Sequence, residues 1–146
     1  MLKGIPKILS PELLKILAEM GHGDELVLAD ANFPAENYGR ICVRADGHGV
    51  PELLGAILSL FPLDTYVDKP VALMAVTKGD SVGEPAVWKA YGEIVSETGF
   101  RGGFEYMERF AFYERATKAY AIVSTGEEAL YANIILKKGV IKDAGH

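Results

Sequence analysis

The chain has 146 residues, 49% of them hydrophobic and 24% charged, and 20 acidic against 15 basic side chains leave a formal net charge of −5. Neither sign forms a long run, which argues against nucleic acid and anionic membrane as partners, and the length suits one domain around one core. A mean hydropathy of +0.13 is high for a small protein that must cover itself with polar groups, so part of the apolar surplus is expected to lie between subunits.

The first residues, Met1 to Pro6, lack the continuous apolar run of a secretion leader, and no segment approaches the roughly 18 apolar residues of a membrane span. The expected location is the cytosol. Ser10-Pro11-Glu12 reads as a helix start, with Ser10 as cap, Pro11 at the first helical position and Glu12 facing the positive end of the dipole. Leu13, Leu14, Ile16, Leu17 and Met20 give it an apolar stripe, and Gly21 reads as its stop. Glu25 to Ala29 reads as a buried strand ending at Asp30, after which Asn32-Phe33-Pro34 turns away. Arg40 to Arg44 is a second strand candidate, and it contains Cys42, a lone thiol without an internal disulfide partner and expected to pack in the core.

Val50-Pro51-Glu52 repeats the helix-start grammar for a helix to about Leu60. Gly-His-Gly triplets occur at His22 and His48, one after a helix and one before, which is shared start and stop chemistry and not a duplication. Val71 to Thr77 reads as a strand, Lys78 to Pro85 as a solvated loop and Glu84 to Glu97 as a helix. Gly102-Gly103 marks a turn before a helical segment from Glu108 to Ala116, with Phe110, Tyr113 and Thr117 on one face. Ala119 to Thr125 and Ala129 to Lys137 read as two final strands. Helices alternating with strands predict a single three-layer α/β domain, a central sheet flanked by helices.

Four residues stand out chemically. His22 sits just beyond a helix C-terminus, where the partial negative charge of orphan carbonyls favours an imidazolium suited to donating a proton; a loop histidine held between glycines accounts for the position equally well. Asp30 ends an apolar strand, where α/β folds place ligand crevices, or else it caps its own turn. Tyr131 and Asn133 are two residues apart, so in extended backbone they share a sheet face, and an Asn among Ile and Leu needs a specific partner, protein or ligand. His22 with Asp24 and Asp30 has no second nearby histidine or thiolate to complete a metal set, and no metal is expected. Walker and dinucleotide motifs are absent.

The ordered blocks Ser10-Pro11-Glu12-Leu13-Leu14, Gly21-His22-Gly23-Asp24-Glu25, Asp30-Ala31-Asn32-Phe33-Pro34, Arg44-Ala45-Asp46-Gly47, Leu63-Asp64-Thr65-Tyr66, Arg109 through Ala116, Ser124-Thr125-Gly126-Glu127 and Tyr131-Ala132-Asn133 through Val140 resemble the L-fucose mutarotase family. The resemblance covers residues 1–141, expected to form one domain of that family's fold, with residues 142–146 as a disordered tail. It implies an isomerase that interconverts the α and β anomers of a free sugar by acid and base catalysis, without metal or cofactor. It further implies His22 as proton donor, Tyr131 as a second proton-transfer or binding group, and Asp30, Asp64, Arg109 and Asn133 as partners of sugar hydroxyls, with Tyr113 as a further candidate. Ring-shaped homo-oligomers, often decamers, with sites near subunit interfaces are also implied. Ala132 stands where relatives usually have glycine. Bacterial D-ribose pyranase is similar in fold and shares the early histidine and the late Tyr-x-Asn, but it lacks the Phe-Tyr-Glu-Arg block, which favours L-fucose. D-ribose pyranase-type activity, or a non-catalytic sugar-binding subunit, is the alternative, and a metal-dependent lyase or isomerase stands further off.

Overall fold

The structure is a computed structural model and describes residues 1–142. Apart from Lys142, the expected tail lies outside the described residues. Helix α1 (Pro11–Glu19) starts as its sequence dictates, with the Ser10 hydroxyl accepting from the Leu13 N–H at 3.1 Å. It does not stop at a left-handed Gly21. Met20 turns to extended backbone with its side chain buried, and the Gly21 N–H donates to Asp24 at 2.7 Å. Strand β1 (Glu25–Ala29), the four-residue helix α2 (Ala35–Tyr38), β2 (Cys42–Ala45), α3 (Val50–Leu58), β3 (Val71–Met74) and α4 (Ala86–Ser96) follow. Then come β4 (Glu105–Met107), α5 (Arg109–Lys118), β5 (Ala121–Thr125) and β6 (Ile134–Lys137).

The six strands form one sheet in the order β2-β5-β1-β6-β3-β4, and β6 alone runs antiparallel to its neighbours. Alternation along each strand divides the core in two. Leu26, Leu28, Leu73, Val123 and Ile134 point to one face, where α1, α3 and α4 cover them with Leu13, Ile16, Leu54, Ile57 and Tyr91. Val27, Ala29, Ala72, Ile122 and Ile135 point to the other, packed against Phe33, Phe112 and Ala116 of the α2 and α5 layer. This is the three-layer α/β arrangement that the alternating elements predict.

Three differences from the sequence reading bear on function. Strand β4 and helix α2 were not expected, because three or four residues carry too little period to register. The last strand begins at Ile134, not Ala129, so Tyr131 is not on a strand; it has φ of 57°, the only positive φ outside glycine among the described residues. The same-face argument for Tyr131 and Asn133 therefore fails. On α5 the buried residues are Phe112 and Ala116, while Phe110 is 68% exposed. Cys42 is half-buried on β2, and burial followed by the nearby Glu36 carboxylate pushes its thiol up to about 11, which keeps it protonated and unreactive. No helix among the described residues is long and apolar enough to cross a membrane.

Candidate functional site

The parallel strands all deliver their C-terminal ends to one edge of the sheet, and a polar cavity of about 200 Å³ opens there. Asp30, 6% exposed, enters it directly from β1. Its backbone N–H donates to the Asn133 side-chain oxygen at 2.7 Å, and its carboxylate accepts from the Asn32 N–H at 3.0 Å. Asn133 therefore has the partner its apolar surroundings demand, and β1 and the lead-in to β6 are tied together at the cavity wall. Burial pushes the Asp30 carboxyl above its ordinary value, against N–H groups of Asn32, Phe33 and Ala132 that favour the charge.

Tyr131 reaches the same cavity from a turn instead of a strand. Its carbonyl accepts from the Trp88 indole N–H at 2.9 Å, and the next carbonyl, of Ala132, accepts from the Tyr91 hydroxyl at 2.6 Å. The Tyr131 hydroxyl donates to Asp80 at 2.5 Å and accepts from the Thr77 N–H at 3.2 Å. Helix α4 and the segment before it thus hold Tyr131 at both backbone and phenol. Arg109, the first residue of α5, completes the wall: its Nε donates to the Tyr113 hydroxyl at 3.0 Å, and its guanidinium lies 5.3 Å from the Tyr113 ring centroid. Tyr113 packs edge-on against Phe33 and stacks on Tyr38. Five expected residues, Asp30, Arg109, Tyr113, Tyr131 and Asn133, converge here.

His22 and Asp64 do not. They pair with each other, His22 Nε2 to Asp64 Oδ1 at 3.0 Å, beside Lys137 and Lys138 at the opposite end of β1 and β6. The five residues of β1 put about 16 Å between His22 and Asp30. The helix-terminus rationale for His22 is also displaced, since the Leu17 and Met20 carbonyls accept from the Lys138 ammonium. The anion that faces the imidazole is Asp64, 4% exposed. Burial pushes the Asp64 carboxyl up, but the Tyr66 N–H and His22 outweigh it and hold it below its usual value. The pair fixes the ring through Nε2, and Nδ1 has no partner among the described residues. Tyr66 tilts against the ring at 5.3 Å.

The separation of His22 from Asp30 also dissolves the one metal set the sequence offered, and among the described residues no three His, Cys, Asp or Glu side chains converge as ligands. Sequence reasoning missed Thr77, Asp80, Trp88 and Tyr91. A Gly79-Asp80 pair in a charged loop reads as solvated surface, and only the fold folds that loop over Tyr131.

A family model described as the RbsD / FucU transport protein family matches residues 3–141. The chain belongs to this family. A fucose mutarotase from Danio rerio is 56% identical over 145 residues, spanning 96% of this chain and 94% of that protein. Among solved structures of family members, the fucose mutarotase from Streptococcus pneumoniae in complex with L-fucose superposes with a TM-score of 0.92 at 53% identity, covering 97% of this chain and 100% of that one. Bacillus subtilis RbsD complexed with D-ribose is more distant, with a TM-score of 0.76 at 27% identity over 97% and 100% of the two chains.

Proposed function

We propose that the chain is an isomerase that interconverts the α and β anomers of L-fucose. The observation that carries this is its full-length likeness to the Streptococcus pneumoniae fucose mutarotase solved with L-fucose, at twice the identity it shares with the ribose-bound RbsD. The cavity chemistry agrees. Carboxylate, guanidinium and amide groups suit neighbouring sugar hydroxyls because each offers two bonding positions in one plane. Asp30, Arg109 and Asn133 are assigned to those hydroxyls, with Tyr113 supporting Arg109.

Ring opening needs one proton to leave the anomeric hydroxyl and another to reach the ring oxygen; closure on the other face reverses both transfers. No redox change or activated leaving group is involved, and since the reaction already runs in water, an acid and a base contributing about 10²–10⁴-fold each are sufficient once the sugar is held. Tyr131 is assigned to the anomeric oxygen. His22 is assigned to the ring oxygen through Nδ1, with Asp64 positioning it from behind. Because His22 lies at the far end of its own sheet, this reading requires the imidazole to come from a neighbouring copy. Head-to-tail contacts repeated around a ring supply that with one kind of interface, in line with the decamer implied by the family resemblance. Exposed Leu60, Val140 and Ile141, beside Leu14 and Pro62 at the His22 end, offer an apolar surface for the contact. A cytosolic setting fits a chain whose single cysteine is a free thiol.

Anomer exchange in L-fucose followed by NMR saturation transfer tests the assignment. The wild type is expected to accelerate exchange and His22→Ala to lose roughly 10²-fold or more. No acceleration, or full rate in His22→Ala, overturns it, and faster exchange of D-ribose than of L-fucose moves the assignment to a pyranase.

A further inference from the structure

We propose that Asp80 is the proton-accepting partner of Tyr131, so that carboxylate and phenol act as one relay during anomer exchange. This inference rests on the mutarotase reading and adds a residue to it.

The geometry begins with the phenol. Tyr131 has one hydroxyl hydrogen, and it is committed to Asp80 Oδ2 at 2.5 Å, within the range of a charge-assisted O–H···O⁻ bond. The Thr77 N–H, at 3.2 Å, takes one lone pair. What the phenol oxygen has left for the cavity is its second lone pair, so it meets the sugar as an acceptor and not as a donor. A phenol that accepts the anomeric proton must pass its own onward, and Asp80 is the group placed to receive it.

The surrounding backbone is built around that bond. Asp80 follows Gly79, whose φ of +92° suits glycine alone, and its other oxygen accepts from the Val82 N–H at 3.2 Å. Tyr131 stands at a positive φ that costs a side-chain-bearing residue about 1–2 kcal/mol and that persists only where its surroundings enforce it. The bonds from Trp88 and Tyr91 do so. Asp80 itself lines the cavity shared by Asp30, Arg109 and Asn133.

The step balances without any further reagent. The anomeric O1–H hydrogen moves to Tyr131 Oη as the phenol hydrogen moves to Asp80. The electrons of the O1–H bond form the C1=O1 double bond, and those of the C1–O5 bond leave with O5. O5 takes a proton from the imidazolium of a neighbouring copy's His22. After the aldehyde turns its other face, O5–H returns its proton to that imidazole while Asp80 and Tyr131 return theirs to O1.

Asp80→Asn keeps one acceptor oxygen, which can still serve the Val82 N–H, but turns an NH2 toward the phenol and cannot take its proton. If the residue only shapes the loop, the amide serves as well as the acid. In the full-length protein, NMR-measured L-fucose exchange across sugar concentrations separates the two. Asp80→Asn is expected to lower kcat roughly 10²-fold with KM unchanged. Asp80→Glu, which still accepts a proton, is expected to retain more of kcat than Asp80→Asn, and Asp80→Asn placed on Tyr131→Phe should cause no further loss. Wild-type kcat in Asp80→Asn, a loss confined to KM, a less active Glu than Asn variant, or a full additional loss in the double variant each overturns the relay alone. A wild type that does not accelerate exchange overturns the mutarotase reading, and the relay with it.

Discussion

Asp30, assigned above to a sugar hydroxyl, carries a cost in stability. Burial raises its folded pKa above the ordinary value of 3.8 that an unfolded chain approaches. A group in that position binds its proton more tightly when folded, so its contribution to stability is full below 3.8 and is lost as pH rises through the folded value. At neutral pH the buried charge therefore opposes folding. An Asn at this position keeps an oxygen for the Asn32 N–H and removes the charge. Asp30→Asn is expected to unfold at a higher temperature than the wild type at neutral pH, with the advantage fading as pH falls toward 3.8. Its affinity for L-fucose should drop by roughly 10–100-fold, the worth of one charge-assisted hydrogen bond. Calorimetry across pH, with sugar titrations by NMR, checks both halves. A variant that is less stable yet binds as well as the wild type contradicts the argument.

At the scale of elements, the cavity depends on helix α4, which lines none of it. Tyr91 is fully buried, and its hydroxyl, which burial pushes up and keeps protonated, donates to the Ala132 carbonyl between the two residues that face the cavity. Tyr91→Phe removes only that donor. The carbonyl is then left buried without its partner, which should destabilise the fold by about 1–3 kcal/mol and slow exchange by loosening Tyr131. Chemical unfolding together with the exchange assay reads this, and an unchanged unfolding midpoint would count against it. The same region marks the limit of sequence reading. Strand β1 was legible to the residue because four apolar positions between a charged loop and Asp30 admit little else. Helix α1 was legible because Ser10 and Pro11 announce it. Tyr131 and Asn133 were correctly placed together but for the wrong reason, since apolar neighbours do not reveal a left-handed residue at position 131. Nothing local ties Trp88, Tyr91 or Asp80 to residues some 40 to 50 positions away.

For the whole molecule, the decisive fact is that the His22–Asp64 pair and the Asp30 cavity occupy opposite ends of the same strands. Rigid strands cannot bring them together, so the two halves meet only if copies associate, and mixing inactive subunits tests that directly. A His22→Ala chain keeps an intact cavity, and a Tyr131→Phe chain keeps an intact imidazole. Each assembled alone should exchange L-fucose poorly. Assembled together at equal amounts, about a quarter of the interfaces should by chance join an intact imidazole to an intact cavity, and activity should return in that proportion. Sites formed within one subunit give no such return, because each chain then carries its own defect. Dilution supplies a second reading of the same assembly: exchange per chain should fall once the concentration drops below the dissociation constant, and the fall should track the loss of oligomer measured by sedimentation. Complementation without association, or association without complementation, would each show that His22 acts somewhere other than across an interface.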